Sequence, residues 1–127
     1  DRAALQRLAG PNVRFLGRVS EEEKRRYLAG CRAFLFPGEE DFGIAPLEAQ
    51  AAGKPVIAFA AGGALDTIQE GITGEYFHQA TPESLAEAVR GFEPSRYDPA
   101  ACIANARRFD TANFQRSWQA FVARHVT

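Results

Sequence analysis

The chain has 127 residues, 46% of them apolar and 24% charged, with a formal net charge of −1. That length carries one domain with a real core. The near-neutral balance excludes sequence-independent nucleic-acid binding, which needs a surplus of Lys and Arg against phosphate. No apolar run approaches the about 20 residues that a membrane-spanning helix needs.

Residues 3–9 read as the end of a helix with Leu5 and Leu8 on one face, stopped by Gly10 and Pro11. Residues 13–16 (VRFL) form a short β-like run closed by Gly17. Ser20 with Glu23 three residues on is a capping box, which predicts a helix over 21–29 ended by Gly30. Residues 33–36 are a second short strand, stopped by Pro37 and Gly38, and the polar loop Glu39, Glu40, Asp41 follows. A helix is predicted over 44–52, ended by Gly53, then a strand over 55–59. Residues 60–63 make a small-residue turn, 65–69 a short helix and 74–77 a fourth strand-like segment. Thr81 as N-cap before Pro82 opens a helix that turns Leu85, Ala88 and Val89 inward. The tail over 99–125 is helical in two pieces, broken near Asp110, with Phe114, Trp118 and Phe121 as a packing stripe.

Short strands alternating with helices predict an α/β fold with a parallel sheet covered on both faces. The strands are continuously apolar, as doubly covered strands are. No repeat, low-complexity tract or linker interrupts the chain. Cys31 and Cys102, far apart and with no CxxC, read as reduced, packed thiols, and with only His78 and His125 beside them no zinc site is expected. The opening stretch is polar and helix-forming, unlike a signal peptide. Lacking an initiator Met, it reads as the inside of a longer polypeptide.

In an open parallel sheet, ligands bind at the carboxyl ends of the strands. The loops there read GRVS after Leu16, PGEEDFG after Phe36 and AAGG after Phe59, each rich in Gly or in groups that cap or grip an anion. The second is the strongest candidate. Gly43 leads into a helix whose free N–H groups and positive dipole end suit a diphosphate. Glu40, just outside that helix, suits the hydroxyls of a sugar. Glu48, one turn into it, suits the two hydroxyls of a ribose. The charge run over residues 21–26 reads as a solvated face with i,i+4 pairing. Lys24 is its exception, because it lies close to the first loop. His78 and His125 have no nucleophile in triad context.

The stretch EDFGIAPLE at residues 40–48 resembles the E-x7-E motif of the family 4 retaining glycosyltransferases. The continuation AQAAGKPVIA at 49–58 is similar too, as are VRFLG at 13–17, Gly62 with Gly63, and GITG at 71–74. Together they cover nearly the whole chain in order and spacing, and the wording is most like bacterial mannosyltransferases of polysaccharide assembly.

The resemblance implies a GT-B architecture of two Rossmann-like domains, with this chain the C-terminal, donor-binding one: three-layer α/β/α, its first strands absent. Residues 1–127 then form one donor-domain fragment, with the helices of 99–127 packing on it. The resemblance makes Glu40 the candidate catalytic residue, contacting the donor sugar's hydroxyls. It assigns the backbone of Phe42, Gly43, Ile44 and Ala45 to sugar and diphosphate, and Glu48 to ribose. Gly17, Arg18 and Val19 are assigned to the loop beside the base, with Lys24 near it.

The implied reaction transfers a hexose with retention, without metal or cofactor, from a nucleotide-diphosphate sugar to a glycan or lipid-linked acceptor. GDP-mannose is favoured over a UDP-hexose. Localisation would be cytoplasmic, with peripheral membrane contact and the acceptor held by an N-terminal domain. The upstream Gly-rich segment and basic residues of the family have no match here. The fragment is therefore expected to be inactive alone, and an incomplete sheet would expose an edge that favours self-association.

Two rival readings are another GT-B nucleotide-sugar enzyme, such as an epimerase or phosphorylase, and a non-catalytic nucleotide-binding module. Lys24 and Lys54 are the only lysines, and Lys54 sits in a helix-to-strand turn, which argues against a phosphorylase's cofactor lysine. The intact Glu40–Glu48 spacing argues against the inert module.

Overall fold

A computed structural model describes residues 10–14, 16–38 and 44–109. Helix α1 spans Glu21–Gly30. The Ser20 hydroxyl accepts from the Glu23 amide at 3.1 Å, and the Glu23 carboxylate accepts from the Ser20 amide at 3.2 Å, so the predicted capping box is present. There follow β1 (Phe34–Phe36), α2 (Ile44–Ala51), β2 (Val56–Phe59), α3 (Ala64–Thr67) and β3 (Gly74–Phe77). Then come α4 (Pro82–Arg90), a 3-10 turn (Pro94–Arg96) and α5 (Pro99–Arg107).

The strands form one parallel sheet in the order β1-β2-β3. Phe34 pairs with Val56 and Val56 with Gly74, while Phe36, Ala58 and Tyr76 share the next level on the same face. Against that face pack Ala49 of α2, Ala64 and Ile68 around α3, and Leu28 of α1. Leu35, Ile57, Glu75 and Phe77 point to the opposite face, where α4 lies on β2 and β3. Helices on both sides bury β2 completely from Val56 to Ala58, hence its unbroken apolar run.

Glycine geometry sets the spacing of the layers at two points. Gly53 closes α2 at φ +81°, with its own N–H donating to Gln50 O and the Lys54 N–H to Ala49 O, a Schellman termination. Gly74 is the first residue of β3, whose bounds match the strand expected over 74–77. A Cβ there would lie 2.0 Å from the Val56 carbonyl oxygen, so the β2–β3 contact admits no side chain.

Local signals set the helix starts. Thr81 accepts from the Ser84 amide at 3.1 Å with Pro82 in the first turn of α4, and Asp98 caps α5 through the Ala100 amide at 3.0 Å. Other expectations need correction. Val13, Arg14 and Leu16 belong to no strand; Val13 and Leu16 remain exposed, because a strand needs a paired neighbour and none among the described residues reaches them. The short helix runs over Ala64–Thr67 rather than 65–69. Leu85 and Ala88 are half-buried as expected, but Val89 is 43% exposed at the edge of the α4 contact. The second piece of the predicted C-terminal helix, with Phe114, Trp118 and Phe121, lies outside the described residues, as does the predicted helix end over 3–9.

Candidate functional site

The carboxyl end of β1 and the start of α2 bound the site. Gly17 takes φ +66°, a left-handed value that turns the chain toward α1 and leaves Arg18 exposed and Val19 half-buried. One turn into α1, Lys24 extends across to α2. Its Nζ lies 2.9 Å from Glu48 Oε2 and 3.1 Å from Glu21 Oε1. Hydrogen bonding to Glu48, then to Glu21, holds the Lys24 ammonium above its ordinary pKa of 10.5. Lys24 and Glu48 each keep 37% of their side chain exposed, so the bridge remains accessible to a ligand. Among the described residues no donor reaches the second Glu48 oxygen, which leaves it able to accept from a hydroxyl.

Helix α2 begins at Ile44, with Ala45 half-buried and Pro46 buried in its first turn. The first-turn amides of a helix have no internal partner, and Pro46 costs none of its bonds there. No acidic residue stands in that turn, so nothing on the helix itself offsets its positive dipole end. Glu40, Phe42, Gly43 and the Ile44 side chain lie outside the described residues. The structure thus brings Lys24 against Glu48 and sets Val19 beside Lys24 on one cavity wall.

Between the Gly17–Val19 loop, α1 and β1 lies this cavity of about 250 Å³, lined by Leu16, Val19, Lys24, Tyr27, Leu28 and Phe34, among others. Cys31 also lines it, its thiol donating to Leu28 O at 3.1 Å. Burial raises the Cys31 pKa, which keeps it a protonated thiol rather than a nucleophile. Cys31 and Cys102 are both free, as read from the sequence. The turn after β2 suits an anion less than its glycines suggest. Leu65, Asp66 and Thr67 donate their N–H groups to Gly62 and Gly63 carbonyls, and Asp66 places a carboxylate in the first turn of α3. His78 is exposed, edge-on to Tyr76 at 6.5 Å between ring centroids.

Residues 1–109 match the family described as "Glycosyl transferases group 1". The chain belongs to that family. It is 44% identical to alpha-1,3/1,6-mannosyltransferase ALG2 of Dictyostelium discoideum over 77 residues, 60% of this chain and 18% of that protein. It is 34% identical to a glycogen synthase of Pseudomonas syringae pv. tomato over 119 residues, 84% of this chain and 24% of that protein. The chain therefore spans a quarter or less of these relatives' length.

Among solved structures, sucrose-phosphate synthase of Thermosynechococcus elongatus superposes with a TM-score of 0.73 at 23% identity, over 99% of this chain and 34% of that one. HepE of Anabaena, solved in complex with UDP and glucose, superposes with a TM-score of 0.67 at 26% identity, over 94% of this chain and 35% of that one. The fold is that of a domain of GT-B glycosyltransferases.

The residue that the sequence reading left without a role is Gln50. It stands on the buried face of α2 between alanines, and a polar side chain among small apolar ones was the available signal.

Proposed function

We propose that this chain is the donor-binding domain of a retaining hexosyltransferase. In this reading Glu48 accepts hydrogen bonds from a ribose, and the first-turn amides of α2 face the diphosphate. Gly17, Arg18, Val19 and Lys24 border the base. The carrying observation is the Lys24–Glu48 bridge at 2.9 Å, which joins α1, just after the loop assigned to the base, to the helix assigned to the ribose. Glu40 would contact the donor sugar's hydroxyls, with Phe42, Gly43, Ile44 and Ala45 lending backbone N–H groups. No metal is needed in this scheme, because amides and basic side chains offset the charge of the leaving diphosphate. The acceptor would be a glycan or lipid-linked sugar, bound by a partner domain at the cytoplasmic membrane face.

The mannosyltransferase relatives favour GDP-mannose as donor. A second reading, a UDP-hexose, is favoured by HepE, whose structures hold UDP and UDP-glucose. Calorimetric titration of the chain with GDP, GDP-mannose, UDP and UDP-glucose, with and without EDTA, tests both. Guanine ligands binding ahead of uracil ligands supports the mannose reading, and the reverse order replaces it with the UDP-hexose one. Glu48→Ala is expected to weaken the bound ligand by about 1.5–3 kcal/mol, the worth of a hydrogen bond to a charged group. Unchanged affinity in that variant, or affinity lost in EDTA, would overturn the site as described.

A further inference from the structure

Behind Glu48 lies a buried polar junction that the donor site itself does not use. Gln50 is 0% and Asn105 3% exposed. Gln50 Nε2 donates to the Thr67 carbonyl at 2.8 Å. Asn105 Nδ2 donates to that same carbonyl at 2.8 Å and to Gln50 Oε1 at 2.5 Å. Arg108 Nη1 donates in turn to Asn105 Oδ1 at 2.8 Å. Thr67 ends α3, so its carbonyl has no partner within the helix, and at 2% exposure it has no access to water. Two side-chain amides from α2 and α5 satisfy it, and three helices are locked at one point. Such a network fixes one arrangement, because every slip leaves a buried polar group unpaired.

The junction grips the side of α2 opposite its functional side. Gln50 follows Glu48 by two residues, which places it about 200° around the helix. Glu48 faces Lys24 of α1, whereas Gln50 faces α3 and α5. A roll of α2 by about 20° would move a group at its outer radius of about 5 Å by about 2 Å. That displacement exceeds the range over which a hydrogen bond survives.

We propose that Gln50 and Asn105 are positioning residues for nucleotide-sugar binding: their paired amides set the roll of α2, so that the Glu48 carboxylate and the first-turn amides meet one ligand together. The proposal rests on the donor-site reading above. It makes donor affinity depend on two buried amides that touch no ligand. Asn105, distant in sequence from the motif, thereby belongs to the machinery that holds it.

The test is calorimetric titration with GDP and with UDP at a temperature where near-ultraviolet circular dichroism shows every variant folded. Gln50→Met keeps the length of an unbranched side chain and removes both polar atoms. Asn105→Leu does the same from the other side. Each is expected to bind the preferred nucleotide about tenfold more weakly, a change of about 1.4 kcal/mol. Ile57→Val, a buried change on the opposite face of the sheet, lowers the melting temperature but leaves affinity unchanged. That control separates positioning from general loss of stability. Folded Gln50→Met with wild-type affinity would overturn the proposal.

Nuclear magnetic resonance of the unaltered chain gives a readout that needs no variant. The Gln50 and Asn105 side-chain amide signals should shift with the Glu48 backbone amide along one titration curve. Glu48 shifting while both side-chain amides stay still would also overturn the proposal. Absence of nucleotide binding by the unaltered chain, or a Glu48→Ala variant that binds normally, would instead remove the donor-site reading on which it rests.

Discussion

The two helices that meet at the Lys24–Glu48 bridge are held in place in contrasting ways. Helix α1 has a complete capping box and three acidic residues in its first turn, yet buries none of its residues. Tyr27 on it is 44% exposed, and Leu16 just before it 43%. Helix α2 has no acid in its first turn and carries Pro46 inside it, but Pro46, Ala49 and Gln50 are buried, and α5 packs along it. The first helix is encoded locally and held loosely; the second is fixed by distant partners. Most helical stability in proteins comes from such packing rather than from propensity. The candidate site thus joins a rigid wall bearing Glu48 to a looser one bearing Lys24.

The largest expected effect breaks the rigid side. Gly74→Ala puts a methyl group where the Val56 carbonyl stands, and the strands must part. Its cost should reach about 3 kcal/mol, the upper end for overpacking, read as a fall in the denaturant midpoint. A loss under about 1 kcal/mol would mean that the β2–β3 contact yields, within the range of an ordinary substitution. Next comes the local code of the loose side. Ser20→Ala removes a cap worth about 1 kcal/mol. Amide exchange should quicken in α1 by about fivefold and stay unchanged in β2, because the helix opens apart from the sheet. Equal quickening in both would erase the contrast.

The smallest effect concerns the bridge itself. The folded-state pKa of Lys24 is raised, so its contribution is complete below the ordinary value of 10.5 and lost as pH climbs through the raised one. Lys24→Met should therefore lower the melting temperature slightly at neutral pH, and the difference should vanish at alkaline pH above that value. The effect is small because both partners are partly exposed. A difference that persists after Lys24 is deprotonated would assign it to packing of the side-chain stem rather than to charge.

Much of the frame was legible because its signals are short-range. Ser20 with Glu23, Thr81 with Pro82, and Gly53 each settle a helix end through bonds that span only a few residues. The apolar runs ending at Phe36, Phe59 and Phe77 form the expected parallel strands. What failed did so for non-local reasons. Val13, Arg14 and Leu16 stand in a run of strand-like composition, but a strand exists only in pairing, and among the described residues they have none. That the strand over 74–77 must open on glycine was not legible, because only the Val56 carbonyl of the neighbouring strand demands it. Val89 followed the helical period inward, yet the α4 contact ends short of it. At the site, Lys24 and Glu48 were each singled out, but nothing in their spacing said that they touch.

By itself, the sequence determined the α/β order, the helix caps, the apolar strands and the family motif, because these depend on neighbouring residues and on their chemistry. Tertiary structure alone decided which distant polar groups meet. Lys24 finds Glu48, and Gln50 and Asn105 converge on the Thr67 carbonyl. The reason is physical: a buried carbonyl at a helix end demands a donor, but any sufficiently close amide can supply it. Only the packing of α2, α3 and α5 brings these two within reach.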